Sequence, residues 1–264
     1  MPYDRHWRES ICKAAAAVLT ALALTFPQSA ASALPETIQR VKPSIVAIGT
    51  FERTRSPAFN MRGTGFVLGD GNVVATNVHV VPEFLPASGG EILVARIPAE
   101  NGELRQRVAT LIAVDKSHDL ALLKLEGAPL PPIFLSMETV REGQEAAFIG
   151  FPIGDVLGLT PVTHRAIISA IAPIAIPGAT ARQLTEKVVR RLKSGSFVIY
   201  QLDGTAYPGN SGGPLLNVET GEVIGIINMV FVKGSKESML SQPSGISFAI
   251  PVLHLRELLR QKGL

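Results

Sequence analysis

Residues 208–214 read Pro-Gly-Asn-Ser-Gly-Gly-Pro. Glycines on both sides of one serine open backbone conformations closed to other residues, so the segment can turn tightly and project the Ser211 hydroxyl. The same turn can aim the N–H groups of Gly209 and Ser211 at one point, which suits the negative oxygen formed when a carbonyl is attacked. An ordinary glycine-rich loop has this composition too, so the reading depends on partners elsewhere in the chain.

A base is read from Thr76-Asn77-Val78-His79-Val80, which follows the apolar residues 73–75. An imidazole exchanges protons near neutral pH, so it can take the serine proton and return it to a leaving amine. Its second nitrogen needs an acceptor. Asp119, in Ser117-His118-Asp119-Leu120-Ala121-Leu122-Leu123-Lys124, opens a hydrophobic strand where a carboxylate can be partly desolvated yet ionised. Taken singly, His79 also reads as a structural histidine and Asp119 as a turn cap. His118, His164 and His254 lack the same pairing of context and order. The order His79, Asp119, Ser211 is that of chymotrypsin and differs from the α/β-hydrolase and subtilisin orders.

Around these positions short β-rich segments recur between Gly, Pro and Asn, at 44–50, 65–68, 73–76, 91–97, 108–114, 120–125 and 145–149. A second set follows at 166–172, 197–201, 214–217, 222–231 and 246–250. Many short strands between turns predict an all-β sandwich or barrels. The Pro- and Gly-rich stretch near the middle of the chain places the division between two small β-barrels within 150–161. Two stretches leave the β pattern. Leu184, Val188 and Leu192, spaced among Arg and Lys, predict a short amphipathic surface helix over 181–192, and Leu255, Leu258 and Leu259 predict a docked terminal helix over 252–259.

The first 33 residues differ from the rest. Arg5, Arg8 and Lys13 precede an apolar run at 14–26, followed by Pro27 and Ala31-Ser32-Ala33. That is the layout of a signal peptide cleaved after Ala33, and a thirteen-residue run is short for a membrane span. Residues 34–264 are then the mature protein, exported to a bacterial periplasm or, alternatively, fully secreted, with no stable membrane anchor. Cleavage removes three basic and two acidic residues, so 25 − 22 = +3 becomes 22 − 20 = +2. The remaining charges are dispersed, which gives only weak support for a nucleic-acid or membrane partner, and no nucleic-acid partner is expected. Cys12, the only cysteine, leaves with the signal. Stability must come from the core of a chain that is 46% hydrophobic.

These motifs resemble the HtrA/DegP family of trypsin-like serine proteases, through TNVHV at His79, HDLALLK at Asp119 and GNSGGPL at Ser211. Further matches are Gly63-Thr64-Gly65-Phe66, Asp203, Gly225-Ile226 and Gly245-Ile246-Ser247-Phe248-Ala249-Ile250-Pro251, so the resemblance covers roughly 35–251. It implies a chymotrypsin/trypsin-like double β-barrel with the site between the barrels, and a serine endopeptidase acting on unfolded or exposed polypeptides through an acyl-enzyme. It also implies a specificity pocket built from Thr205, Ala206, Tyr207, Ile226, Ile227 and Asn228. Thr205 stands where a basic-selective protease carries a carboxylate, so small or medium aliphatic residues are expected before the scissile bond.

The departures are as informative. Thirteen residues follow Pro251, too few for the PDZ domains common in HtrA-like proteins, and residues 51–61 are short for their long regulatory loop. The stretch 173–196 is enlarged and basic. HtrA-like proteins are often trimers, but no motif here specifies an oligomer. A glutamyl endopeptidase shares barrels, triad order and secretion, although 225–231 lacks the histidine expected of its pocket. An inactive protease-like chaperone or binding protein is the alternative from another class. No H-E-x-x-H pair, Walker loop or full dinucleotide fingerprint occurs, so no metal and no cofactor are expected.

Overall fold

Successive side chains of a strand point to opposite faces, and in Leu120–Leu125 both faces are apolar because both are buried. Ala121, Leu123 and Leu125 join one core cluster, while Leu120 and Leu122 join another. The same division of one strand between two cores recurs in strands Ile45–Phe51, Phe59–Leu68, Val73–Asn77, Glu145–Gly150, Pro214–Asn217 and Ile246–Pro251. The computed structural model describes residues 34–83, 90–98, 104–154, 158–173, 197–228 and 245–264. The expected export signal and the expected helix at 181–192 lie outside the described residues.

Six antiparallel strands form the first closed barrel: β1 (Ile45–Phe51), β2 (Phe59–Leu68), β3 (Val73–Asn77), β4 (Ile92–Pro98), β5 (Leu104–Asp115) and β6 (Leu120–Leu125), in the order β1-β2-β3-β6-β5-β4. The second barrel contains β7 (Glu145–Gly150), β8 (Val162–Pro173), β9 (Val198–Asp203), β10 (Pro214–Asn217), β11 (Val223–Ile227) and β12 (Ile246–Pro251), in the order β10-β11-β12-β9-β8-β7. This is the all-β, chymotrypsin/trypsin-like double barrel that the sequence leads one to expect. The division between barrels needs correction. The strand β7 pairs with β8 and β10, so the boundary falls between Leu125 and Glu145 rather than within 150–161.

Val46, Ile48, Val67, Val74 and Leu93 pack with Ala121 and Leu123 inside the first barrel. Phe148, Ile168, Leu202, Leu215, Ile227 and Ala249 pack inside the second. A third cluster joins Phe66, Leu120 and Leu122 to Ile149, Phe151, Leu216, Ile226 and Ile250, and therefore binds one barrel to the other. Each such Val, Leu, Ile or Phe side chain contributes about 1.5–3 kcal/mol on burial. An irregularity between β10 and β11 pairs Leu215 with Gly225 but Leu216 with Val223. Skipping Ile224 shifts the strand's phase, so Ile224 and Ile227 enter the second barrel while Val223 and Ile226 enter the shared cluster.

Among the described residues, two helices flank the barrels. The helix α1 (Leu34–Val41) was not anticipated from the sequence; Pro35 suits its first turn, and Arg40 Nη2 donates to the Thr220 carbonyl at 2.7 Å. The expected terminal helix is α2 (Val252–Lys262), with Val252, Leu255 and Leu258 buried. Gly263 ends it in a left-handed conformation at φ 69°. No helix among the described residues is long and apolar enough to cross a membrane.

Candidate active site

The site is assembled from three turns: one after β3, one before β6 and one between β9 and β10. Asn77 ends β3, and residues 78–80 make a single 3₁₀ turn carrying His79. Its ring Nδ1 lies 2.6 Å from Asp119 Oδ2, while its backbone N–H donates to Asp119 Oδ1 at 3.1 Å. The Asp119 backbone is held too, its carbonyl accepting from Asn77 Nδ2 at 2.9 Å and from the Val78 N–H at 3.2 Å. These bonds secure a residue at φ 56°, a left-handed conformation that few non-glycine residues adopt.

Asp119 receives a further donor from the other barrel. Asn228, just past β11, donates its side-chain amide to Oδ2 at 2.7 Å. Burial alone would raise the Asp119 carboxyl. The His79 ring bond and attraction, the Asn228 bond and the His79 backbone bond outweigh it and hold the group below its ordinary 3.8.

Ser211 is 5% exposed and its loop is tied to β2. The Ser211 carbonyl accepts from the Thr64 N–H at 2.8 Å, and Thr64 Oγ1 donates to the Gly209 carbonyl at 2.6 Å while accepting from the Phe151 N–H at 3.1 Å. Gly63 marks where the histidine turn and the serine loop converge. A β-carbon there would come 2.6 Å from Val80 Cγ2 and 2.8 Å from the Ser211 carbonyl oxygen. The loop glycines are required sterically: at Gly209 (φ 102°) a β-carbon would meet the Phe151 carbonyl oxygen at 2.2 Å, and at Gly212 (φ 83°) the Thr64 carbonyl oxygen at 2.2 Å.

The residues read as a specificity pocket separate into two groups. Thr205 and Tyr207 are partly exposed, and Ala206 is buried with its N–H donating to Ser247 Oγ at 2.7 Å. The other three need correction. Ile226 and Ile227 are fully buried on opposite faces of β11, within the two cores, and the Asn228 side chain is engaged by Asp119, so none of the three is available to line an open pocket. The sequence reading also missed Thr64 as the tie between the barrels. Its hydroxyl lies within the quoted Gly-Thr-Gly-Phe motif, but hydrogen-bonded roles leave no mark on residue spacing. Among the described residues, no cluster of His, Cys, Asp and Glu has the makings of a metal site.

Two closed six-stranded barrels with a His–Asp pair on one and a glycine-bounded serine on the other define a chymotrypsin-like architecture. Residues 63–226 match the model of the trypsin-like peptidase domain, and the chain belongs to that family. A Pseudomonas fluorescens protein named "Probable periplasmic serine endoprotease DegP-like" is 33% identical over 192 residues, covering 72% of this chain and 32% of its own length. Mouse serine protease HTRA3 is 28% identical over 235 residues, covering 86% and 44% respectively. The chain thus spans a third to under a half of these relatives. A solved structure of an HtrA-type protease with tripeptide aligns with a TM-score of 0.59 at 25% identity, over 86% of this chain and 62% of the other. The active form of the Rv3671c protease from M. tuberculosis, at 21% identity, shares the fold, with a TM-score of 0.61 over 89% and 86%.

Proposed function

We propose that the chain is a serine endopeptidase in which Ser211 is the nucleophile, His79 its general base and Asp119 the group that orients the base. The observation that carries this reading is the His79–Asp119 pair, its carboxylate buried and its ring partly exposed, held in one tautomer by a 2.6 Å contact beside a serine loop that converges with the histidine turn on Gly63. Ser211 Oγ attacks the peptide carbonyl as its proton passes to His79 Nε2. The imidazolium then gives that proton to the leaving amine, and water activated by His79 releases the acyl group. The N–H groups of Gly209 and Ser211 receive the oxyanion, a contribution of about 3 kcal/mol per donor in such sites.

The substrates are exposed or unfolded polypeptides, cut after small or medium aliphatic residues. Thr205, Ala206 and Tyr207 offer no carboxylate to a Lys or Arg side chain, and a buried charge without a counterion is strongly penalised. The arrangement of residues 1–33 and the DegP-like relatives support export, with the periplasm as destination. The test is covalent labelling by a fluorophosphonate. Wild-type protein should be modified at Ser211 and cleave an unfolded polypeptide; Ser211→Ala should keep its fold and lose both. Undiminished peptidase activity in Ser211→Ala rejects the assignment.

A further inference from the structure

Asn210 stands between the two residues whose N–H groups would receive the oxyanion, yet its own side chain turns inward and is fully buried. Its backbone is fixed on both sides, by N–H donation to the Tyr207 carbonyl at 2.9 Å and by acceptance from the Gly213 N–H at 3.0 Å. The side-chain oxygen Oδ1 has no hydrogen-bond partner and sits against Gly150, where a β-carbon would come within 2.6 Å of it. On its other side the amide faces His164 of β8, whose Nε2 lies 3.5 Å from Asn210 Nδ2.

The His164 ring is itself fixed. It stacks on Phe148 of β7 with centroids 4.7 Å apart and planes 12° apart, and the two residues are register partners in the sheet. The Tyr207 phenol ring lies 6.3 Å away, tilted by 45°. Burial is the cause that lowers the His164 pKa from 6.5, so near neutrality the ring is uncharged and one nitrogen carries a lone pair. Stacking explains an aromatic ring at this position. It does not explain a ring nitrogen aimed at the amide beside Ser211.

We propose that His164 is a positioning residue: the Nε2 lone pair accepts from the Asn210 amide and thereby fixes the peptide planes of residues 209–211 that present the oxyanion donors. At 3.5 Å the contact is at the long limit of a hydrogen bond, which leaves room for it to shorten when substrate loads the loop. The inference rests on the assignment of Ser211 as nucleophile. Its consequence is kinetic, because a loop that presents donors to the transition state affects kcat and leaves KM nearly unchanged.

Two substitutions separate positioning from packing. His164→Phe keeps a flat ring on Phe148 and removes the acceptor; kcat should fall about tenfold with KM within about twofold. His164→Gln gives up the stacked ring but keeps an acceptor, and should recover kcat to within about threefold of wild type. The reverse order, or an unimpaired His164→Phe, would overturn the proposal in favour of a packing role. A second measurement does not need turnover or either variant. In ¹⁵N-histidine-labelled Ser211→Ala protein, His164 Nε2 should resonate as an unprotonated, lone-pair nitrogen, and a protonated Nε2 would overturn the proposal. Failure of wild-type protein to label at Ser211 rejects the nucleophile, whereas these two readouts judge His164.

Discussion

The side-chain amide of Asn228 and the ring Nδ1 of His79 meet on one atom: Oδ2 of Asp119, at 2.7 Å and 2.6 Å. Asn228 comes from the end of β11 in the second barrel, and His79 from the first. The carboxylate of a residue only 8% exposed thus stays ionised because donors from both barrels reach it.

Asn228→Leu removes one of those donors while keeping the bulk. A hydrogen bond to a charged group contributes about 2 kcal/mol. The folded-state pKa of Asp119 is depressed, so its contribution is present above the unfolded value of 3.8 and lost as pH falls through the folded value. Losing Asn228 raises the folded pKa. Acid unfolding of the variant should begin at higher pH than that of wild type, and kcat/KM should fall about tenfold. An acid-unfolding curve unchanged from wild type, in a Ser211→Ala background that prevents self-cleavage, would reject this role.

Gly212 and Gly143 share a positive φ, 83° and 81°, but differ in surroundings. A β-carbon on Gly143 meets nothing within 4 Å, whereas on Gly212 it meets the Thr64 carbonyl oxygen and Thr76 Oγ1 at 2.2 and 2.3 Å. Gly143→Ala should therefore cost only the left-handed backbone, about 1–2 kcal/mol, with activity retained. Gly212→Ala should cost more than about 3 kcal/mol or displace the serine loop, with activity lost. Urea midpoints of the two variants check the difference, and equal midpoints with equal activity would refute it.

The ring of His254 on α2 stacks on His118 at 3.8 Å, both rings meeting the edge of Phe197, and His118 Nδ1 is 2.5 Å from Asp115 Oδ2. Burial, then the charge of His118, lowers the His254 pKa from 6.5 to about 4, with Asp115 opposing. A histidine with a depressed folded pKa resists protonation while the unfolded chain accepts it. Stability should decline as pH falls from 6.5 toward about 4. In His254→Phe, which retains a stacked ring, the decline of Tm across that window should be shallower; an equal decline would mean that other groups set it.

Most strands were legible because each carries β-branched and leucine residues bounded by Gly, Pro or Asn. Leu120–Leu125 and Pro214–Asn217 match their expected spans to the residue. The boundary between barrels was misread because punctuation is local and pairing is not. The strongest Pro–Gly stretch follows β7, yet nothing near it encodes the bonding of β7 to β10 across more than sixty residues of chain. The α1 helix escaped notice because eight residues hold little helical stability of their own; docking of Val41 and Arg40 supplies it. The His79, Asp119 and Ser211 motifs were visible as spacing, but the direction of Asn228 follows from the phase shift at Ile224, which only the β10–β11 register reveals.

Thr64 gives the two-barrel design a consequence for assembly. Each sheet closes on itself, so neither needs the other to complete its ladder. The single hydroxyl that donates to the Gly209 carbonyl and accepts from the Phe151 N–H belongs to the first barrel, and both its partners belong to the second half of the chain. The geometry of the proposed site therefore depends on how the two barrels dock. Enzymatic turnover would report the seating of the halves more sensitively than any spectroscopic measure of strand content.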